Sequence, residues 1–538
     1  MKNNMRHIST IIKLSLCIST LFAFYLSPFT FACAQKPFIP DTVSSGQERV
    51  EEVMRLIDGN YTETPDMDKI GEAAINAMLR ELDPHSVYIA ARNVERANES
   101  LQGNFEGVGI SFQIISDTIV VQSVIDGGPS EKVGIQIGDK LLRIDGEAAT
   151  GDTINNQFVF KRLRGKKGTT VVLDILRQGT VYTFHIVRDK VPIYSIDTYF
   201  MADDSIGYIR LIRFARSSGD EFRKALKELK KQGMTALILD LRGNTGGFLD
   251  IACQLANEFL ERGQLIVYQQ GRRTPRQDFR ANGRGNWKQG RLVVLIDEGS
   301  ASASEIVSGA VQDWDRGTLI GRRSFGKGLV QRMFQLKDGG QIRLTTARYY
   351  TPSGRCIQRP YDQGDEAYRQ DVNNRFRHGE LVNADSIHFP DSLKYKTAHG
   401  RIVYGGGGVM PDIFVPIDTV RLSDYFISIR GKGLLNTLPS QWADSHRKTP
   451  EVKNFELFLQ NYDSFGLDSM LVNMALEKGI VRDTAAEARQ PIRTAHSDSY
   501  LKLMLKAQVA RYLFGTEYYY KVMKETDDAY LRAVEYLK

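Results

Sequence analysis

From Ile206 onward the apolar residues switch back and forth between two periods, and this alternation restricts the fold more than any other feature of the chain. Ile206 to Phe214 reads as a strand, Gly219 to Lys231 as a helix with Phe222, Leu226 and Leu229 along one face, and Ala236 to Leu241 as a buried strand. Leu249 to Leu260 then reads as a helix, Leu292 to Ile296 as a strand and Ser302 to Trp314 as a helix. Strand and helix taken in turn build an α/β layer architecture. Leu329 to Leu336 and Gln341 to Tyr350 follow as paired strands joined through Asp338-Gly339-Gly340.

On either side the pattern differs. Between about residues 41 and 97 it is helical, with Val50, Val53, Met54 and Ile57 and then Ile70, Ala73, Ala74, Ala77 and Met78 at helical spacing. Leu82 to Tyr88 closes that segment, with Pro84 as its breaker. From Phe105 to Lys190 short strands are punctuated by glycines, with one helix over Asn155 to Leu163, which fits a small, partly open β-barrel. Pro360 to about Tyr404 is polar and without period and reads as an insertion or linker. Val409 to Pro416 is expected to return to the core as a strand, and beyond residue 420 the chain is helical again, with a last helix near Ala529 to Leu537.

A length of 538 residues suits several domains. The expected division is a signal peptide over 1–34, a helical region over 35–98, the barrel over 99–190, the α/β core over 191–416 with its insertion at about 360–404, and a helical region over 417–538. In the first of these, Lys2, Arg6 and Lys13 precede or enter an uncharged apolar run, Leu14 to Phe31, which ends in the small-x-small pattern Ala32-Cys33-Ala34. Its strongly apolar part is shorter than the ~20 residues of a membrane span. A lipid on Cys33 is the other route to a membrane, though Thr30-Phe31-Ala32 approaches that cysteine poorly. Export and cleavage imply a periplasmic protein that meets the membrane only through this segment.

Loss of that segment leaves Cys253 and Cys356, too few for a disulfide framework and read as lone thiols. The net charge of +7 comes from interspersed acidic and basic residues, which points to no nucleic-acid partner.

Three motifs mark the barrel region. They are Gly107-Val-Gly-Ile110 entering a strand, Gly128-Pro-Ser-Glu-Lys-Val-Gly-Ile135, and Gly138-Asp-Lys-Leu-Leu-Arg-Ile-Asp-Gly146. In this order they resemble a PDZ domain. A glycine loop before an exposed strand edge presents backbone N–H groups to a terminal carboxylate, and the ligand adds a strand to the edge. Gly107, Val108, Gly109 and Ile110 are the candidate tail-binding residues, and the ligands implied are proteins or peptides with unstructured C-terminal tails.

Two residues in the α/β region carry candidate chemistry. Ser302, in Gly299-Ser-Ala-Ser-Ala-Ser-Glu305, begins a helix, where its hydroxyl lies in the positive end of the helix field and the Ala303 amide is free to donate. Ser302-Ala-Ser-Glu305 also satisfies a capping box, so the local pattern has a purely structural reading. Lys327, in Ser324-Phe-Gly-Lys-Gly-Leu-Val-Gln331, is a poor base at its ordinary pKa near ~10.4 and a useful one if burial depresses it. The same lysine ends Gly321-Arg-Arg-Ser-Phe-Gly-Lys327, a phosphate-loop pattern, but Gly328 stands where Ser or Thr would hold magnesium and a strand follows in place of a helix. The histidines from His85 to His496 include no His-x3-His pair and no cysteine partner at metal-ligand spacing. A Gly-x-Ser-x-Gly elbow is absent, since Ala303 follows Ser302. No metal and no cofactor are expected.

Ser300-Ala-Ser-Ala-Ser-Glu-Ile306, Ser324 to Gln331 and Asp240-Leu-Arg-Gly-Asn-Thr-Gly-Gly247, with Tyr349 to Arg355 and Met410 to Ile413, together resemble the carboxyl-terminal processing, or tail-specific, serine peptidases over roughly residues 41 to 416. The resemblance implies a core of the crotonase/Clp-protease-like type and a secreted endopeptidase that cuts near C-termini with a Ser-Lys dyad. It makes Ser302 the nucleophile, Lys327 the general base, Gln331 a residue that holds the lysine, and Glu305 a carboxylate supporting the site. Ala303 and one of Gly246 and Gly247 become the oxyanion donors, which of the two glycines being open. In this family a PDZ arginine couples substrate binding to assembly of the site, and Arg164, then Arg188, are the positions considered. Asp297-Glu298 departs from the asparagine of many relatives. A homodimer or an activating adaptor would fit the family, and the C-terminal helices show no motif tied to activity. The alternative from another class is a catalytically silent PDZ adaptor that binds C-terminal tails.

Overall fold

The computed structural model describes residues 44–115 and 117–538. The expected signal segment, with Cys17 and Cys33, lies outside the described residues. Helix Ser45–Asn60 starts in a capping box, with Ser44 accepting from the Gln47 N–H and the Gln47 side chain accepting from the Ser44 N–H. With the first turns of helix Met67–Arg80 it forms a compact unit ending at Ala73.

The PDZ region is a sheet in the order Ile110–Ile115, Thr118–Val124, Lys140–Ile144, Thr170–Arg177, Thr180–Val187. Helix Asn156–Leu163 packs on it through Val159 and Leu163, against Ile119, Leu141 and Leu173. Strand Ile110–Ile115 lies at one edge of that sheet. Where the chain enters and leaves the domain, Asn104–Gly107 and Asp189–Pro192 pair as a two-stranded antiparallel ribbon.

The core sheet runs Ile196–Met201, Ile206–Leu211, Ala236–Asp240, Arg291–Ile296, Thr318–Gly321, Ile413–Phe414, with the first pair antiparallel and the others parallel. Strand Ala236–Asp240 is buried at every residue because both faces of the sheet are covered. Leu237, Leu239 and Val294 meet Phe222, Leu226, Leu255 and Val307 from helices Ser218–Lys231, Leu249–Asn257 and Ala303–Asp313. Ile238, Val293 and Leu295 meet Tyr530, Ala533 and Leu537 of the last helix, Asp528–Leu537. The last helix of the chain therefore closes one face of the core sheet, a role its sequence did not disclose. The remaining C-terminal helices share a core of their own around Phe426, Phe458 and Leu505.

A second, antiparallel sheet holds Val87–Ile89, Gln341–Tyr350, Leu265–Gln270 and Gln277–Arg280, with Leu329–Gln335 paired to Gln341–Tyr350. Residues Leu82 to Tyr88 thus do more than end a helix, since they lead into a strand of this sheet. The polar stretch 360–404, expected as an insertion or linker without period, carries regular structure. It forms helices Asp365–Arg369 and Asp371–Arg377 and the strand pair Lys394–Lys396 and Ile402–Tyr404. Buried Arg375 donates to the carbonyls of Ser324 (2.8 Å) and Phe325 (3.1 Å), and Arg359 stacks on Phe325 and Tyr368 at 3.9 and 3.8 Å. The segment anchors the lysine loop through arginines, which leave no apolar periodicity to read. Cys253 and Cys356 are free thiols.

Candidate active site

The site lies beyond the carboxyl ends of the parallel strands, where open α/β sheets collect their functional loops. Ser302 follows strand Arg291–Ile296 and directly precedes helix Ala303–Asp313. Its backbone sits at φ 55°, ψ −111°, a conformation that costs a non-glycine residue of order 1–3 kcal/mol and persists only where the surroundings enforce it.

Glu305 supplies much of that enforcement. It is fully buried, and its carboxylate accepts from the Ser302 N–H (2.8 Å), the Lys327 N–H (2.9 Å), the Gly326 N–H (2.7 Å) and the Ser324 hydroxyl (2.5 Å). Burial raises its pKa from the ordinary value, and the four donors oppose that rise. One side chain thereby fastens the serine turn to the lysine loop. The buried Tyr349 hydroxyl does the same from the second sheet, 3.0 Å from the Ser302 carbonyl and 2.5 Å from that of Lys327.

Lys327 Nζ donates to Gln331 Oε1 at 2.9 Å, and Gln331 Nε2 in turn donates to the His85 carbonyl. Desolvation lowers the lysine pKa, Arg343 lowers it further, and Asp83 and Glu305 act against them. His85 is pushed down to about 4, by burial first and the Lys327 charge second. Its ring meets the Tyr368 hydroxyl at 2.8 Å.

The turn carrying Gly246 and Gly247 is bound to the serine loop through Asn244. Its carbonyl accepts from the Ala301 N–H (2.9 Å) and the Ser304 hydroxyl (2.8 Å), while its Oδ1 takes the Gly246 N–H (2.9 Å). With the Gly246 amide engaged in this way, Gly247 is the glycine whose amide can serve an oxyanion. Both positions require glycine. A Cβ on Gly246 would lie 2.9 Å from the Ala303 nitrogen, and one on Gly247 2.1 Å from the Phe214 carbonyl oxygen. Asp297 braces the same loops, accepting from the Gly243 N–H (2.8 Å) and the Gly299 N–H (3.0 Å).

Ser302, Ala303, Gly246, Gly247, Lys327 and Gln331 all line one cavity of about 420 Å³. Leu101, Ile212, Phe248 and Met333 give it an apolar wall.

In the PDZ region the carbonyls of Val108 and Gly109 accept from the Ser130 and Ile125 amides, both at 2.9 Å. In a trans peptide the following N–H points the opposite way, so the Gly109 and Ile110 amides turn away from those partners. Arg164 reaches out of the PDZ region. Its Nη1 forks onto both Glu99 carboxylate oxygens (2.7 and 2.5 Å), and its guanidinium lies 5.0 and 5.2 Å from the Phe105 and Phe160 rings. Arg188 is buried in the domain instead, donating to the carbonyls of Arg162, Leu163 and Thr170 and to Thr169 Oγ1. Those bonds spend its guanidinium on the PDZ fold and leave Arg164 as the arginine at the junction.

Residues 205–365 match the family model described as peptidase family S41, 107–187 match a PDZ domain, and 425–515 match a family of unknown function, DUF8443. Over 390 residues the chain is 34% identical to a carboxy-terminal-processing protease of Bartonella bacilliformis, covering 71% of this chain and 88% of that one. The chain belongs to peptidase family S41. It is a serine peptidase of the carboxy-terminal-processing group with a PDZ domain. A probable CtpA-like serine protease of Staphylococcus aureus is 32% identical over 318 residues, 59% of this chain and 63% of that protein. A solved photosystem II D1 C-terminal processing protease is 26% identical over 70% of this chain and 95% of its own, with a TM-score of 0.36.

Several residues of this S41 site lay outside the sequence reading. Asn244 and Tyr349 stand within motifs that carried the resemblance, but their roles depend on long-range hydrogen bonds. The His85 carbonyl, which accepts from Gln331, and the cavity-lining Arg213 and Arg343 gave no sequence signal at all, because each comes from an element remote in the chain.

Proposed function

We propose that this S41 peptidase cleaves secreted or periplasmic proteins near their C-termini with a Ser302–Lys327 dyad, after the PDZ domain has taken up the tail. The observation that carries the reading is the convergence of the serine turn and the lysine loop on Glu305 at the edge of one cavity. The charged leader at the N-terminus supports export.

In the proposed sequence a tail adds as a strand to the edge Ile110–Ile115, its carboxylate on the amides of the Gly107 to Ile110 loop. Neutral Lys327 donates one N–H to Gln331 Oε1, which aims its lone pair elsewhere and makes it available for the Ser302 proton. As Ser302 Oγ attacks the peptide carbonyl, the Ala303 and Gly247 amides hold the oxyanion, and the leaving amine takes the proton from Lys327. Water then releases the acyl group, with Lys327 as base again. Arg164, between the PDZ region and Glu99, reports tail occupancy to the core.

The test follows an unfolded-tail reporter protein by mass spectrometry. Fragments from the wild type but not from Ser302→Ala or Lys327→Ala are expected. Equal cleavage by Ser302→Ala would remove the nucleophile assignment, and tail binding without cleavage by any variant would favour the adaptor reading.

A further inference from the structure

Three cationic side chains, Arg213, Lys327 and Arg343, line the cavity around Ser302, and no carboxylate does so among the described residues. Lys327 has its place in the proposed mechanism, but the two arginines do not. Arg213 follows strand Ile206–Leu211, in the stretch whose Phe214 N–H donates to the Gly246 carbonyl at 3.0 Å. Arg343 lies on Gln341–Tyr350, the partner of the strand that carries Gln331. Helix Ala91–Gln102, whose Leu101 also lines the cavity, contacts the elements that carry them. Arg343 donates to the Ala97 carbonyl (2.9 Å) and Asn98 Oδ1 (3.0 Å), and one turn later the Leu101 carbonyl accepts from the Arg216 N–H (3.1 Å).

Guanidinium groups withdrawn from water are ordinarily paired with carboxylates. Elsewhere in this chain such groups are paired with carboxylates, as Arg355 is with Asp313 (2.7 Å) and Arg242 with Asp240 (2.6 Å), or engaged by carbonyls, as Arg188 is. Arg213 has no such partner among the described residues. Burial pulls its pKa below the ordinary value, and Asp197 and Glu221 compensate only in part. Glu221 is itself engaged by the Ser195 and Ile196 amides and the Ser217 hydroxyl. The Nε of Arg343 is buried without a hydrogen bond.

We infer that Arg213 and Arg343 form a carboxylate subsite inside the catalytic cavity, which takes an acidic side chain or the terminal carboxylate of the substrate close to the cleaved bond. The inference rests on cleavage at Ser302. A planar guanidinium meets a carboxylate through two parallel hydrogen bonds, and the apolar wall strengthens that pairing by excluding water.

The test uses peptides built on a neutral, amidated parent. One set carries Glu or Gln in turn at each position flanking the cleaved bond, and a second pair ends in free acid or amide. The wild type is expected to favour the carboxylate member of one pair by about ten- to a hundredfold in kcat/KM. Arg213→Gln brings that ratio close to one, and Arg213→Lys, which keeps the charge without the fork, retains part of it. The responding pair names the source of the carboxylate. Recognition of a free C-terminus by the PDZ domain persists in Arg213→Gln, so only the preference lost on substitution belongs to the subsite. No preference in any pair, or one that survives Arg213→Gln undiminished, overturns the inference. Cleavage of the neutral parent by the wild type and not by Ser302→Ala reports separately on the peptidase reading.

Discussion

Around Ser302 and Lys327 the loops are fastened by buried hydrogen bonds that converge on Glu305, whose side chain is 0% exposed. At the junction between the PDZ region and the core the fastening is lateral and wetter. There a short ribbon is joined by the Arg164–Glu99 pair, 32% and 17% exposed. The first arrangement fixes the relative position of two backbones before any substrate arrives. The second can be broken and remade at small cost, since a partly exposed ion pair is worth about 0–1 kcal/mol. The two regions are therefore held by interactions of different strength, and substitutions in them should behave differently.

The largest effect is expected at Glu305. Glu305→Ala orphans donors on both loops and should cost at least about 3 kcal/mol in urea denaturation, with cleavage falling to background. A variant of full stability and activity would break the comparison, because the loops would then not depend on their shared anchor. Next comes Gly247→Ala, whose Cβ would meet the Phe214 carbonyl oxygen at 2.1 Å. If the Gly247 amide is the proposed oxyanion donor, displacing it should lower kcat by about 10²–10³-fold, read by steady-state kinetics.

The two PDZ arginines sharpen the contrast. Arg188→Ala leaves buried carbonyls unpaired and should lower PDZ stability by about 1–3 kcal/mol, visible in thermal unfolding. Arg164→Ala should leave the melting temperature nearly unchanged and reduce cleavage of a tailed protein by about tenfold. A short peptide without a docking tail should respond less. If the two variants exchange these phenotypes, Arg188 and not Arg164 is the coupling residue.

The smallest effect is expected from pH. His85 is held below its unfolded value, so the unfolded chain binds its proton first. Its contribution is fully present above about pH 6.5 and is lost as pH falls toward about 4. About 1.4 kcal/mol should be gone by pH 5.5, and His85→Asn should flatten that part of the stability curve.

The fold was legible where periodicity carries it. The alternation from Ile206 to the helix after Ser302, the strand pair ending at Tyr350 and the PDZ strands follow from apolar spacing and glycine placement, whereas strands Leu265–Gln270, Gln277–Arg280 and Thr318–Gly321 were not read. Ser302, Lys327 and Gln331 could be singled out because each lies in a long local motif, and the structure brings all three to one cavity. Residues 360–404 were not, since Arg375 buries its guanidinium on backbone carbonyls and Tyr368 packs under the Arg359 guanidinium, and charged residues read as solvent-facing. Packing of Asp528–Leu537 on the core sheet was not legible either. Its helix is evident from spacing, but nothing local names the face it covers. That the Gly246 amide is engaged by Asn244 Oδ1 could not be read from the sequence, because the bond depends on the folded turn.

The most direct measurement is the rate at which a serine-directed fluorophosphonate labels Ser302, followed across pH in the wild type and in Lys327→Ala. A neutral lysine base predicts a wild-type rate that rises as Lys327 loses its proton, with a midpoint below the ordinary lysine value because burial depresses it. Lys327→Ala should then label at background. Equal labelling of the two proteins at every pH would contradict the dyad and require another base for Ser302.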